Sequence, residues 1–79
     1  MREFNLDRLR KLVTVTDRGS FAAAAQALHL APPTVTLHVA ELESRLGARL
    51  LVRGRRQVSP TAVGQTLVDR ARALLAQAD

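Results

Sequence analysis

Residues 19–47 read GSFAAAAQALHLAPPTVTLHVAELESRLG, and this stretch decides the fold. The alanines of 21–28 favour a helix and leave little side-chain bulk between its backbone and a neighbouring helix. Ser20 can cap that helix, and Pro32 and Pro33 suit the first turn of a second helix, where backbone amides have no intrahelical partner. The stretch therefore predicts two short helices joined by a tight turn, which is the form of a helix-turn-helix.

The second helix of this pair has two faces. We expect it to run to Arg45 or Leu46 and to end at Gly47. Apolar residues at steps of four, three and four predict its buried stripe, which consists of Val35, Val39, Leu42 and Leu46. The residues turned away from that stripe are Thr34, Thr36, Leu37, His38 and Glu41. In a helix-turn-helix the N-terminal part of this helix enters the major groove, so the outer face is the candidate contact surface.

One more helix is predicted before the pair. It begins with Asn5 as a cap and ends at Gly19 in a left-handed conformation. Its apolar face is expected to consist of Leu6, Leu9, Leu12, Val13 and Thr16.

The spacing of apolar residues changes after the two helices of the helix-turn-helix. The segments 50–52 and 58 have strand-like apolar residues, and the stretch 53–57 between them is basic and turn-forming, which predicts a small hairpin. Ser59, Pro60 and Thr61 then offer a cap and a first-turn proline for a last helix that extends to Asp79.

The hairpin region carries basic residues with no acidic residue among them. The chain has 12 Lys and Arg against 7 Asp and Glu, and this net charge of +5 on 79 residues favours a polyanionic partner. Residues 19–40 contain no charged side chain. Between Glu43 and Asp69 the charged residues are all arginines: Arg45, Arg49, Arg53, Arg55 and Arg56. A neutral helix pair beside a basic hairpin favours double-stranded DNA over other polyanions.

The composition argues against several other classes. With 47% hydrophobic and 24% charged residues, the chain is expected to fold as one domain. It has no cysteine and only two histidines, so we expect neither a metal nor a cofactor. An enzyme is disfavoured because so short a chain can hardly enclose a pocket. The chain has no Trp or Tyr, which disfavours a membrane module and an RNA platform. No secretory signal opens the sequence, so a cytoplasmic location is expected.

In order and spacing, the motifs resemble the DNA-binding domain of LysR-type transcriptional regulators. The residues that carry the resemblance are Gly19-Ser20-Phe21, Ala24-Ala25, Leu28, Pro33, Val35, Leu42-Glu43, Leu46-Gly47, Leu50, Arg53, Arg56, Val58, Thr61 and Gly64. The resemblance implies a mostly α fold, in which a winged helix-turn-helix of three helices and a small two-stranded wing is followed by a long dimerising linker helix. It also implies a nucleoid-associated bacterial regulator that binds interrupted palindromes as a homodimer, forms tetramers at full length, and senses a small-molecule co-inducer through a C-terminal domain absent from these residues.

The resemblance also locates the expected DNA contacts. Base contacts are expected from Pro32, Pro33, Thr36, Leu37 and His38. Similar proteins commonly have Gln at the position of Pro32 and a basic or amide residue at that of Leu37, so readout here is expected to be partly apolar, against thymine methyl groups. Contacts to the DNA backbone or minor groove are expected from Ser20, Thr34, Arg53, Arg55 and Arg56.

The last helix divides the chain into two expected units, the winged helix-turn-helix at 1–60 and the linker or dimerisation helix at 61–79. Its predicted dimer seam consists of Leu67, Ala71, Leu74, Leu75 and Ala78. The same stripe could also pack against the first helix. The alternative function is a helical protein-interaction or oligomerisation module, in which this last helix alone would matter.

Overall fold

The computed structural model describes residues 6–78, with side chains described for 6–77. The elements in chain order are α1 (Leu6–Arg18), α2 (Phe21–Leu28), α3 (Pro32–Leu46), β1 (Leu51–Arg53), β2 (Val58–Pro60) and α4 (Ala62–Ala78). This is the predicted arrangement, a mostly helical fold with a two-stranded wing. The predicted cap Asn5, the predicted helix end Asp79 and the side chain of Ala78 lie outside the described residues.

The junction between α2 and α3 has the predicted chemistry. The hydroxyl oxygen of Ser20 accepts a hydrogen bond from the amide of Ala23 at 2.9 Å, so Ser20 caps α2. The C-cap of α2 is His29, whose φ of 58° is uncommon for a residue with a side chain. The proline pair forms the first turn of α3, and the C-cap of α3 is Gly47, with a φ of 65°. The predicted boundaries of both helices are confirmed.

The start of α4 differs from the prediction. β1 and β2 pair as an antiparallel sheet, and both Ser59 and Pro60 belong to β2 instead of to the helix start. Pairing continues one residue further, because the amide of Thr61 donates to the carbonyl of Leu50 at 3.0 Å, and the chain is therefore still extended there. Thr61 takes the cap position, since its hydroxyl oxygen accepts from the amide of Gly64 at 2.9 Å. Pro60 as the first-turn residue, and Ser59 as the cap, were wrong predictions.

The core is built around α1, which contacts α2, α3 and α4. The buried apolar side chains from the four helices are Leu9, Leu12, Val13 and Val15; Ala24 and Ala25; Val35, Val39 and Leu42; and Val68, Ala71 and Leu75. Leu50, Leu51 and Val58 extend this core under the wing. The alanines allow the close approach of α2 that the sequence predicted. In the part of the chain that the structure describes, no helix is long and apolar enough to cross a membrane.

Two predicted core faces need correction. On α1, Val15 is fully buried although it lies outside the predicted face, whereas Leu6 is exposed and Thr16 half-buried. Other helices cover α1 from more than one side, so its buried surface is wider than a single stripe. On α3, Leu46 is 38% exposed, because the last turn projects past the core and lines a surface groove with Val63 of α4.

Candidate nucleic-acid interface

The N-terminal part of α3 presents an uncharged outer edge. Pro32, Pro33 and Leu37 are exposed, and Leu37 has 56% of its surface accessible. Thr34 and Thr36 are half-buried on the same part of the helix. Val35 and Val39 face the core, so the helix is fixed from behind while this edge stays open. The positive end of the α3 dipole lies at the same end of the helix, where it favours an approaching phosphate.

His38 is less open than the sequence indicated. It is half-buried, and in the described residues its Nδ1 atom is buried without a hydrogen-bond partner. The pKa of Asp7 on α1 is lowered mainly by its hydrogen bond with Lys11. A contact between Nδ1 of His38 and a base would require the His38 side chain to move.

An ion pair joins the outer part of α3 to α1. The guanidinium of Arg8 donates two hydrogen bonds to Oε1 of Glu41, from Nε at 3.0 Å and from Nη2 at 2.7 Å. The hydrogen bond from Arg8 lowers the pKa of Glu41 below its ordinary value. Because both side chains are partly exposed, we expect the pair to orient α3 more than to stabilise the fold.

The wing carries the basic side chains next to this edge. Arg53 ends β1, and Arg55 and Arg56 lie in the exposed turn between the strands. The guanidinium carbon of Arg53 lies 4.5 Å from the centre of the Phe21 ring, which gives a cation–π contact between the wing and α2. Ser20, also predicted to contact DNA, uses its hydroxyl oxygen to cap α2.

α3 and the wing meet at a small cavity of about 70 Å³. Thr36 and Glu43 of α3 line it from one side, and Arg49 and Arg53 line it from the other. One oxygen of Glu43, Oε2, accepts hydrogen bonds from the amides of Leu50, at 2.8 Å, and Leu51, at 3.3 Å. A side chain of α3 therefore holds the segment at the start of the wing.

Sequence reasoning gave no structural role to Arg8, Phe21 or Glu43. Phe21 and Glu43 are part of the motif pattern, but their partners lie on other elements: Phe21 contacts Arg53, and Glu43 contacts the segment before β1. No spacing within one helix could reveal these contacts. The motif pattern itself was the available signal for both residues.

The predicted dimer seam on α4 is only partly open. Ala71 and Leu75 are buried in the chain's own core, and Leu67 packs partly against it. Leu74 is 36% exposed. The exposed apolar surface continues towards the start of α4, where a groove of about 310 Å³ is lined by Leu46, Val63, Thr66, Leu67 and Arg70. Among the described residues, no cluster of three or more His, Cys, Asp or Glu side chains could hold a metal ion.

Comparison with known sequences gives consistent matches over nearly all of the chain. A family model described as a bacterial regulatory helix-turn-helix protein of the lysR family matches residues 6–65. The nitrogen assimilation regulatory protein nac of Escherichia coli K12 is 43% identical over 75 residues, which are 95% of this chain and 25% of that protein. The SDS degradation transcriptional activation protein of a Pseudomonas species is 45% identical over 71 residues, which are 90% of this chain and 23% of that protein. The chain thus spans about a quarter of the length of these relatives.

Solved structures show the same fold. The CbnR_DBD–DNA complex matches with a TM-score of 0.89 and 35% identity, covering 95% of this chain and 86% of that one. The BenM_DBD complex with catB site 1 DNA matches with a TM-score of 0.92 and 37% identity, covering 96% and 84%. Together with the family match over most of the sequence, these similarities show that the chain belongs to the LysR family of bacterial regulatory helix-turn-helix proteins.

Proposed function

We propose that this chain is a sequence-specific module for double-stranded DNA, in which α3 enters the major groove and the wing contacts the backbone or the minor groove. The observation that carries the proposal is the exposed, uncharged edge of α3, held from behind by the core and flanked by the wing arginines. The similar structures named above include DNA complexes of related domains. The module carries no catalytic role, and it acts in the cytoplasm, where bacterial DNA lies.

We propose the following contacts for the outer edge of α3 and for the wing. Pro32, Pro33 and Leu37 offer apolar surface for thymine methyl groups, and Thr36 offers a hydroxyl. His38 is half-buried, so its contact comes from the accessible part of the ring. Phosphate or minor-groove contacts come from the side chains of Ser20, Thr34, Arg53, Arg55 and Arg56. Specificity then depends on shape and methyl groups more than on hydrogen bonds to bases.

We propose that the module acts as a homodimer on an interrupted palindrome, through the helix assigned to 61–79. Ala71 and Leu75 are already buried within one chain, so the contact with a second copy passes to exposed residues. From the predicted seam, Leu67 and Leu74 are still proposed to contact the second copy. Val63 and Leu46 extend this contact surface. A two-fold dimer needs a patch that is complementary to itself, and an apolar stripe along a helix meets that need.

Titration of duplexes at several salt concentrations tests this function. A palindromic duplex selected from a random pool is compared with a scrambled duplex of the same composition. A DNA-binding regulator domain shows a steep dependence of affinity on salt and a preference for the selected duplex. A helical interaction module, for which the exposed stripe of α4 is the argument, shows neither, and that result would refute the proposal.

A further inference from the structure

Glu43 makes a contact that the proposed DNA binding does not by itself require. It lies on α3, yet its Oε2 accepts hydrogen bonds from the amides of Leu50 and Leu51, the latter being the first residue of β1. The side chain therefore reaches across seven and eight residues of sequence to hold the entry to the wing.

The two amides need an acceptor from outside their own strand. Leu50 and Leu51 are buried, so amides at this position are poorly reached by water. A carboxylate is a strong acceptor for backbone amides, and one oxygen of Glu43 serves both of them. The carboxylate of Glu43 has the same sign of charge as the DNA backbone, so it is a poor partner for phosphate.

The other links to the wing start elsewhere. The amide of Val58 donates to the carbonyl of Gly19 at 2.8 Å, and the hydroxyl of Thr61 donates to the carbonyl of Arg49 at 2.7 Å. Glu43 differs from both because its side chain comes from α3, the helix proposed to enter the major groove. Its hydrogen bonds therefore couple the position of the wing directly to that of α3.

If Leu51 is displaced, the paired strands β1 and β2 transmit the displacement to the basic turn between them. β1 is three residues long and pairs with β2 from Leu51–Pro60 to Arg53–Val58. Arg53 is held over the Phe21 ring, and Arg55 and Arg56 follow in the turn. Moving the entry of so short a hairpin moves all three guanidinium groups relative to α3.

We propose that Glu43 is a positioning residue, which sets the wing at the distance and angle from α3 that lets both contact one duplex at the same time. The proposal rests on the proposed DNA binding by α3 and the wing. Its structural part, that Glu43 holds the wing entry, can be tested without DNA.

The experiment compares Glu43→Met with Glu43→Gln, each in the parent chain and in a chain that also carries Arg53→Ala, Arg55→Ala and Arg56→Ala. Both substitutions remove the same negative charge, but only Gln keeps a side-chain oxygen that can accept from the two amides. Amide hydrogen exchange at residues 50–53 is measured by NMR, and affinity is measured on the selected duplex. If Glu43→Met does not fold, Glu43→Asp replaces it, because it keeps the charge and withdraws the acceptor by one methylene.

We expect faster exchange at Leu50 and Leu51 in Glu43→Met than in Glu43→Gln. We also expect Glu43→Met to bind about tenfold more weakly than Glu43→Gln, which is within the range for groups coupled in one network. In the chain without wing arginines the two variants should bind equally, since the wing then has no DNA contact to misplace.

Two results would overturn the proposal. One is equal exchange at Leu50 and Leu51 in the two variants, which would mean that Glu43 does not hold the wing. The other is the same reduction of affinity with and without the wing arginines, which would mean that Glu43 acts on α3 or on the fold. If the triple arginine variant binds like the parent, the proposed wing contact fails instead, and the exchange comparison still decides whether Glu43 positions the wing.

Discussion

Leu37 is the most exposed large apolar side chain in the described part of the chain, at 56%. It lies on the outer edge of α3, where a hydrogen-bonding residue would be expected to read a base. Its exposure leaves apolar surface in contact with water. The proposed contact with thymine methyl groups would cover this surface.

Replacing Leu37 by Arg should change which bases are preferred more than it changes stability. The side chain is not part of the core, so the free energy of unfolding should change by less than about 0.5 kcal/mol. A new guanidinium can make a bidentate contact with guanine, worth about 1–3 kcal/mol of discrimination. Selection from random duplexes, together with thermal unfolding, measures both effects.

The matched control is Ser44→Arg, an exposed position further along α3. It adds the same charge away from the proposed contact edge, so affinity for all duplexes should rise together without a change in base preference. An unchanged preference in Leu37→Arg would remove Leu37 from the set of base-contacting residues.

At the scale of elements, the wing and α4 approach each other closely where the wing begins. A Cβ atom built on Gly64, in the first turn of α4, would lie 1.9 Å from the carbonyl oxygen of Leu50. Thr61 holds the same crossing through its hydrogen bonds to the backbone of Arg49 and Leu50. The helix, the wing and the loop before it therefore form one tightly packed unit, and Glu43 fixes that unit to α3.

Gly64→Ala should destabilise the fold although Ala favours helix by about 1 kcal/mol over Gly. The added methyl group meets the backbone of Leu50, which cannot rotate away, and overpacking of this kind costs about 1–3 kcal/mol. Thermal or denaturant unfolding measures the change. Ala73→Gly, at an exposed position of α4, gives the propensity cost alone, and a Gly64→Ala variant more stable than the parent would contradict the close approach.

The wing arginines should control affinity for every duplex. Arg53→Ala combined with Arg56→Ala should weaken binding to selected and scrambled duplexes alike. It should also lower the slope of log affinity against log salt by about 2, one for each phosphate that an arginine no longer neutralises. The slope is obtained from titrations at four or more salt concentrations.

The control for charge is Arg72→Ala. It is compared with the single variant Arg56→Ala, because each of the two removes one arginine. Arg72 lies on α4 and pairs with Asp17 of α1 at 2.6 Å, so its charge already has a partner within the chain. Its replacement should leave the salt slope nearly unchanged. If the wing variants bind like the parent, the wing is not part of the interface.

At the scale of the whole molecule, α1 connects the two surfaces to which functions are assigned. It is joined to α3 by the Arg8–Glu41 ion pair and to α4 by the Asp17–Arg72 ion pair, and it packs against both through the core. The proposed DNA contacts and the proposed dimer contact thus lie on helices that pack against the same helix, α1. In a dimer, the distance between the two α3 helices would follow from this packing and from the pairing of α4.

Leu74→Asp should shift the protein towards monomer in sedimentation experiments while circular dichroism stays helical. Leu74 is 36% exposed and lies outside the core cluster, so a charge there should disrupt the proposed contact with a second copy more than the fold. Ala76→Asp adds the same charge on a different exposed face of α4 and should leave the assembly unchanged. A parent chain that is already monomeric at high concentration would refute the dimer.

The sequence by itself determined the elements and the family. Helix caps, prolines and alanines act within a few residues, so the boundaries of α2 and α3 at Ser20, the proline pair and Gly47 follow from local sequence. Apolar spacing likewise identified Val35, Val39 and Leu42 as core. The outer edge of α3 followed from the same periodicity, and the motif pattern indicated the LysR family.

Only the tertiary structure decided which apolar side chains of α3 and α4 are buried and which are exposed to solvent. Periodicity shows that a helix has an apolar face but not which neighbour covers it, so Ala71 and Leu75 proved buried within the chain, and Leu46 proved exposed. Pro60 joined a strand because pairing with β1 outweighed a local preference for a helix start. Contacts between elements, such as those of Glu43 with the wing entry and of Arg8 with α3, leave no mark in local spacing, because they depend on how distant segments pack.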